Sequence, residues 1–498
     1  MIILRSLARL AIAGAIFLTA QTAFAQHDVG GGTTSGAATS SGESTSRRAT
    51  VKRPATRTTT GPVRRPRPPV KRELTAEQFN AAGDEFFKAE QYDDALEAYT
   101  RALQLKPIAS AYYHVGWIYN DRDNYEQALA ALQQAVRLNP SDAASYYELG
   151  YAYRNLKRPN EAMNAYRQAL IARSDYAEAY YQIGWLYNEQ DQFAQAIEPL
   201  TQATRLKPDY ADAYQELGYA YYKLNRSQEA IRAYQNTVRL KPDNGLAYLG
   251  LGDVYFYQTK QFPQAVEAYR QGVRYKTDNA TAFYNLAWSA NELNMHRDAA
   301  TAARQAISLN ANYPEAYVEL GYANRKLGQF NEAVAAYTKA IELKANYALA
   351  YMGLGDVYYA DLKQYQQALL PYEQFIRLTP NNARVRHNLG WIYNDLRRYA
   401  EASEQLRQAV ALKPEDVDSH AELGFAYLKQ RQLPAAVESL RTAIRLNPNH
   451  ATAHFYLGLV FIEQRNKIAA QNEYRILQRL DPAKAQQLFD AAPPNMRN

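Results

Sequence analysis

From residue 74 onward, apolar and polar positions alternate with the period of a helix. Within 110–142, Tyr112, Val115, Gly116 and Tyr119 recur at intervals of three and four, which puts them on one helical face. Asp121-Arg122-Asp123-Asn124 then breaks the pattern as a polar turn. A second apolar face runs through Ala128, Leu132 and Ala135 and stops at Asn139-Pro140-Ser141-Asp142. Pro140 cannot continue a helix, and Ser141 or Asp142 can cap the next one. The whole pattern then starts again. Gly83, Gly116, Gly150, Gly184, Gly218, Gly252, Ala287, Gly321, Gly355, Gly390, Gly424 and Gly458 form a ladder with rungs 33 to 35 residues apart. An alanine ladder, from Ala95 and Ala128 to Ala436 and Ala470, runs below it. One helix pair cannot bury its apolar face alone, so this period predicts an all-α superhelical solenoid of about twelve tandem helix-turn-helix repeats over 73–482. Gly116 and Ala128, both small, are expected to face each other and let the two backbones approach.

The unit resembles the tetratricopeptide repeat, whose pattern is an aromatic, two residues, Leu-Gly, two residues, Tyr, then Ala, Phe and Pro. The leucine before the small residue stands at Leu149, Leu217, Leu251, Leu286, Leu320, Leu354, Leu389, Leu423 and Leu457. The closing proline stands at Pro107, Pro140, Pro208, Pro242, Pro380, Pro414, Pro448 and Pro482. The resemblance covers more than four-fifths of the chain. It implies protein or peptide ligands held in a concave groove lined by the first helix of each pair. The family's clamp for chaperone C-terminal tails uses a particular set of Lys and Asn residues in three adjacent repeats, and that set is not found here.

Departures from the pattern carry their own expectations. The framework aromatic four positions before the small residue becomes Arg386, His420 and His454 in the last three repeats. In the seventh, Ala287, Ala290 and Ala303 replace Gly, Tyr and a large residue, which predicts a weak packing layer near 281–309. Extra residues at Thr259-Lys260 and Leu362-Lys363 read as longer turns. In the tail 483–498, Leu488 and Phe489 read as a cap over the last apolar face.

Carrying the family register over, the residue directly after the small one should face the groove. All four tryptophans, Trp117, Trp185, Trp288 and Trp391, occupy that position. In each following repeat it holds Tyr151, Tyr219, Tyr322 or Phe425, and in the next Asp253 or Asp356. Trp185, Trp288 and Trp391 are 103 residues apart, so three repeats form a larger unit copied along the chain. One turn beyond the tryptophans stand Asn120, Asn188, Asn291 and Asn394, each followed by an acid. The tyrosine helices carry Arg154, Lys223, Arg325-Lys326 and Lys429 instead. Two readings stand side by side. Either a three-repeat block was duplicated and the indoles pack between helices, or the aromatic, amide and charged strips form a repeated ligand site. Extended peptide is the expected ligand, and a glycan the alternative, since sugar faces stack on Trp and sugar hydroxyls pair with Asn and Asp.

The ends of the chain change the picture further. Arg5 and Arg9 precede an apolar run from Leu10 to Ala20 and then Ala23-Phe24-Ala25, the form of a signal peptide (1–25) cleaved after Ala25. That run is short for a membrane span, so no transmembrane anchor is expected after cleavage. The expected location is therefore periplasmic or extracellular. Residues 26–72 read as a disordered linker, rich in Gly, Ser and Thr, then basic and proline-rich. Its segment 47–72 holds ten Lys or Arg, five prolines and no acid. The formal net charge of +7 thus belongs to the N-terminal tail, while the repeats are weakly acidic. The basic segment reads either as a spacer or as a grip on an anionic surface. Export argues against nucleic acid as partner.

Catalytic chemistry finds little support. The chain has no cysteine, which removes a thiol nucleophile and any disulfide and fits an oxidising compartment. His450 and His454 lie four apart but lack an evident third ligand. Gly250-Leu251-Gly252 and Gly353-Leu354-Gly355 sit inside helical patterns with no preceding strand and no phosphate-loop lysine. No catalytic residue, cofactor or metal site is expected. The sequence points to a non-enzymatic, exported binding scaffold, with a glycan-binding module of envelope or exopolysaccharide assembly as the rival.

Overall fold

The computed structural model describes residues 74–497, and the expected signal peptide and linker lie outside the described residues. Each sequence unit folds into two helices that pack side by side, an inner one of typically 13 residues (Ala109–Asp121) and an outer one of 14 (Tyr125–Leu138). Several inner helices start on a side-chain cap. Asp142, Asn244, Asn279, Asn382 and Asp416 all accept backbone N–H groups of the first turn. Each inner helix ends on a left-handed residue, from Glu90 to Arg465 with φ of 56–60°, or Gly328 at 76°. The next N–H reaches back over six residues to close the helix, as Asn124 does to the Tyr119 carbonyl at 2.8 Å.

The two longer repeats differ from expectation at this point. Their extra residue is not in the turn. It widens the last turn of the inner helix into a π-helix, Val254–Thr259 in repeat 6 and Val357–Asp361 in repeat 9. The closing bonds stretch by one residue accordingly, from Gln261 to Tyr255 and from Gln364 to Tyr358.

The glycine ladder also has a different partner from the one expected. A Cβ on Gly116 would lie 2.4 Å from Leu132 Cγ, and one on Gly150 would lie 2.6 Å from Tyr166 Cε1. The glycine thus makes room for a large, fully buried residue of the outer helix, not for the alanine. In repeat 7 both sizes change together. Ala287 takes the glycine position and Ala303 the large one, and both are fully buried. With Phe256 buried and Trp288 packed beside them, they belong to one continuous core, in which the Ala287 methyl offsets part of the side chain missing at Ala303.

Successive repeats stack in sequence order. The inner helices of repeats 2 and 3, 4 and 5, 5 and 6, 7 and 8, 8 and 9, 10 and 11, and 11 and 12 pack directly on each other. At the junctions 1/2, 3/4, 6/7 and 9/10 they approach less closely. Those are the four junctions that lead into a tryptophan repeat. After the twelfth pair, helix Pro482–Ala491 places Leu488 against Gly458, where other repeats use their own outer helix.

Candidate binding face

The ladder glycine points toward the outer helix, so it sets the orientation of each inner helix. At about 100° per residue, the positions three before and one after it lie roughly 60° and 100° round the helix, on one side. Burial confirms that this side is open. Five residues after the small rung, Asp121, Glu189, Lys223, Lys326, Asp395 and Lys429 are exposed, while the residue directly after it is half-buried in most repeats, 36 % exposed at Tyr219 and buried at Asp356.

The tryptophans sit in the wider junctions as wedges. Trp117 meets Phe87 edge-on at 5.0 Å and Tyr92 at 5.5 Å. Trp288 meets Phe256 at 5.0 Å, and Trp391 meets Tyr359 at 5.7 Å and Tyr365 at 4.8 Å. At Trp185 the preceding repeat supplies Arg154 instead. Its guanidinium lies 5.0 Å from the indole and 4.8 Å from the Tyr151 ring, and it donates to Gln182 at 2.8 Å. The indoles therefore serve the framework on one side and keep a half-buried side toward the open face.

The four asparagines are placed differently from the sequence expectation. All are buried. Asn120 Nδ2 donates to the backbone carbonyl and carboxylate of Glu148, at 3.1 and 2.9 Å. Asn188 repeats this on Glu216, Asn291 on Glu319 and Asn394 on Glu422, each 28 residues on. These are clamps between inner helices. Their amide donors are already engaged, so the direct ligand contact expected of them is corrected to a structural role. The cost falls on the glutamates. Burial raises the Glu148 and Glu422 carboxyls above the ordinary range and lifts Glu216 from 4.5 to about 7, although the asparagine bond opposes the shift.

The aspartate repeats hold a second polar device. Tyr269 donates to Asp253 at 2.7 Å and receives from Asn285 at 3.0 Å. Tyr372 does the same between Asp356 and Asn388, at 2.8 and 3.2 Å. Asp356 is buried and also binds Arg384 at 2.8 Å and Arg325 at 3.2 Å, while Arg325 holds Asp361 as well. Burial pushes the Asp356 carboxyl up, but the two guanidinia outweigh it and keep it below its ordinary value. Asp253 has neutral partners, and burial lifts it to about 6. Arg325 and Asp356, expected on the ligand face, are thus spent on each other. The sequence reading also missed Asp84, which follows Gly83 and accepts from Tyr99 at 2.8 Å. Repeat 1 is an aspartate repeat too, and its place in the register was the available signal.

What remains open is a row of rings with cations over them. Lys223 Nζ lies 5.3 Å from the centre of Tyr219, Lys326 lies 5.5 Å from Tyr322, and Lys429 lies 5.3 Å from Phe425.

Tetratricopeptide-repeat profiles match residues 80–143, 116–178, 216–274, 249–317 and 422–485, together more than half of the chain. Further profiles of the same repeat match 184–225, 322–361, 349–382, 372–404 and 390–431. The chain belongs to the tetratricopeptide-repeat family. No match emerges among curated proteins. Among solved structures, the tetratricopeptide-repeat protein YrrB, described as having an unusual peptide-binding site, is 24 % identical, with a TM-score of 0.36. It covers 38 % of this chain and 99 % of its own. Pseudomonas aeruginosa pilF is 23 % identical over 42 % of this chain and 94 % of its own, with a TM-score of 0.38. The Cut9–Hcn1 hetero-tetramer of the APC/C is 15 % identical over 83 % of this chain and 96 % of its own, with a TM-score of 0.33. Tetratricopeptide repeats are protein-interaction scaffolds, and the open inner-helix face is where this one has side chains to offer. Among the described residues no cluster could hold a metal ion, and no helix is long and apolar enough to cross a membrane.

Proposed function

We propose that this tetratricopeptide-repeat chain is an exported, non-catalytic scaffold that holds extended segments of partner proteins along its inner helices. The observation that carries the reading is the open strip of half-buried indoles and tyrosines, with Lys223, Lys326 and Lys429 beside the rings. A half-buried ring offers only part of the roughly 150–250 Å² that such a side chain can bury, so affinity would come from several in series and not from a deep pocket. The framework role of the asparagines weakens the glycan alternative, because their amide donors, once assigned to sugar hydroxyls, already bind glutamate. Periplasmic or extracellular residence rests on the signal-peptide pattern of residues 1–25, and the basic segment 47–72 is proposed as a spacer or a grip on an anionic surface.

The test is selection from a random peptide library on the mature chain, beside a Tyr219→Ala, Lys223→Ala, Lys429→Ala variant. Those side chains are exposed, so the variant should keep its helical circular dichroism. Enriched peptides that no longer bind the variant support the reading. A glycan array that is positive where the library fails would replace it.

A further inference from the structure

We propose that the inner face of repeats 2–5 takes a proline-rich segment of a partner protein, held in the polyproline II conformation. The inference deepens the scaffold reading above and rests on it. It starts from where the rings are densest. Tyr113 and Trp117, Tyr147 and Tyr151, and Tyr181 and Trp185 are three successive pairs at i and i+4, each half-buried on the same side of its own inner helix, with Tyr147 packed on Tyr166 and Tyr176 and Tyr181 on Tyr210, and Tyr219 continues the row. Beyond repeat 4 the first member becomes Gln215 and Leu249, returns as a ring at Tyr284, and is Val318, Met352 or Ala421 further along, so the continuous double row ends at Trp185.

The hydrogen-bonding character of these rings is one-sided. Among the described residues, no indole N–H donates to a protein acceptor, and neither the Tyr113 nor the Tyr181 hydroxyl has a protein partner. Burial raises the Tyr113 hydroxyl to about 12, so it stays protonated and able to donate. The nearby amide oxygens of Asn120 and Asn188 are buried beyond reach of a ligand. Along the row of rings the groups left unpaired are therefore donors, and the accessible acceptors are the carboxylates of Asp121 and Glu189 at its edge. A proline residue is the complement, with a carbonyl acceptor and no N–H. An ordinary extended peptide would bring one unsatisfied N–H per residue, and a sugar would bring many hydroxyl donors.

Pitch agrees with chemistry. Directly packed helices lie about 8–10 Å apart, and polyproline II advances about 9 Å per three-residue turn. One proline turn thus meets one repeat at the two close junctions, 2/3 and 4/5. The pyrrolidine rings would stack on Tyr and Trp, as in other aromatic-lined proline grooves. Asp121 and Glu189 are exposed at the edge of this face and would favour basic residues beside the prolines.

The experiment titrates the mature chain with a capped oligoproline of about twelve residues, four polyproline turns, and with a capped Gly-Ser peptide of equal length. Tryptophan fluorescence and calorimetry follow binding. Oligoproline is expected to bind at least tenfold more tightly than Gly-Ser. A Tyr181→Phe, Trp185→Phe variant keeps rings but loses O–H and N–H, and Tyr219→Ala loses an exposed ring; each should weaken oligoproline several-fold with helicity intact. Equal binding of the two peptides, or full affinity in the Phe variant, overturns the proposal. If oligoproline fails while the library still enriches other peptides, only the proline preference falls. If the library fails too, the scaffold reading falls with it.

Discussion

Replacing Gly390 by alanine tests the packing rule that the repeats share. The added Cβ would lie 2.3 Å from Leu406 Cγ, 2.8 Å from Cδ2 and 3.0 Å from Cδ1. Leu406 is fully buried, so it has nowhere to retreat. Overpacking of this kind costs about 1–3 kcal/mol. Leu406→Ala alone removes the clash partner and leaves a cavity, at about 2–5 kcal/mol. The double variant recreates the pair that repeat 7 already has, Ala287 with Ala303, both fully buried. In it the alanine methyl enters the vacated space, and alanine is also the better helix former by up to about 1 kcal/mol. The two changes should therefore couple by at least about 1.5 kcal/mol, with Gly390→Ala turning neutral or favourable once Leu406 is gone. A repeat array unfolds in pieces, so the readout is hydrogen exchange of Ala383–Asp395 alongside urea melts. Additivity within about 0.5 kcal/mol would refute the reasoning. So would a harmless Gly390→Ala in the parent chain.

Three further outcomes follow from the polar junctions and the turns. Glu216 titrates near 7 when folded and near 4.5 when unfolded, so the folded chain binds the extra proton and stability falls as pH rises from about 4.5 to 7. Glu216→Gln keeps an acceptor for Asn188 and should raise stability at pH 8 by up to about 3 kcal/mol, flattening that pH dependence in thermal melts. Asp253 and Asp356 should part company in the same melts. Asp356→Asn leaves Arg325 with Asp361 alone and takes the carboxylate from a half-exposed Arg384, and should cost about 1.5–3 kcal/mol, whereas Asp253→Asn, with neutral partners, should be neutral or stabilising at pH 8. Arg431 is exposed and left-handed at φ 60°, a conformation that strains an L side chain by roughly 1–2 kcal/mol. Arg431→Gly should gain a net 0.5–1 kcal/mol, about half of that strain being returned through the freer unfolded chain, and an unchanged urea midpoint would speak against it.

The helices, their number and their order were legible because they follow from local periodicity, and the period near 34 repeats the signal twelve times. What a polar side chain does was less legible, because that depends on a neighbour one repeat away. Asn120, Asn188, Asn291 and Asn394 look like ligand contacts when read against the tryptophans three positions before them. Their true partners, Glu148, Glu216, Glu319 and Glu422, lie at a constant 28 residues beyond, an offset visible in the sequence once the inner helices are paired across a junction. The π-helical turns were not legible in the same way. A longer loop and a widened helix end accommodate one residue equally well on paper. The left-handed closing residue is tied to the start of the outer helix, so the insertion moves back into the inner helix, beside Asp253 and Asp356.

These assignments narrow the binding face by subtraction. The wide junctions need a wedge, which the indoles supply; four of the seven close ones carry a polar clamp of asparagine and glutamate; the aspartate repeats anchor a tyrosine of the outer helix. Each device recurs with the three-repeat unit, so framework demands account for that larger period without any ligand. The double row of rings follows the same rule only in part. Tyr113, Tyr181 and Tyr284 recur in tryptophan repeats, the last two in the three-repeat period, whereas Tyr147 adds a ring in a tyrosine repeat where the later ones carry Gln215, Val318 and Ala421. Tyr147, which makes the row continuous across repeats 2–4, is the ring that the structural period does not account for and that a ligand would.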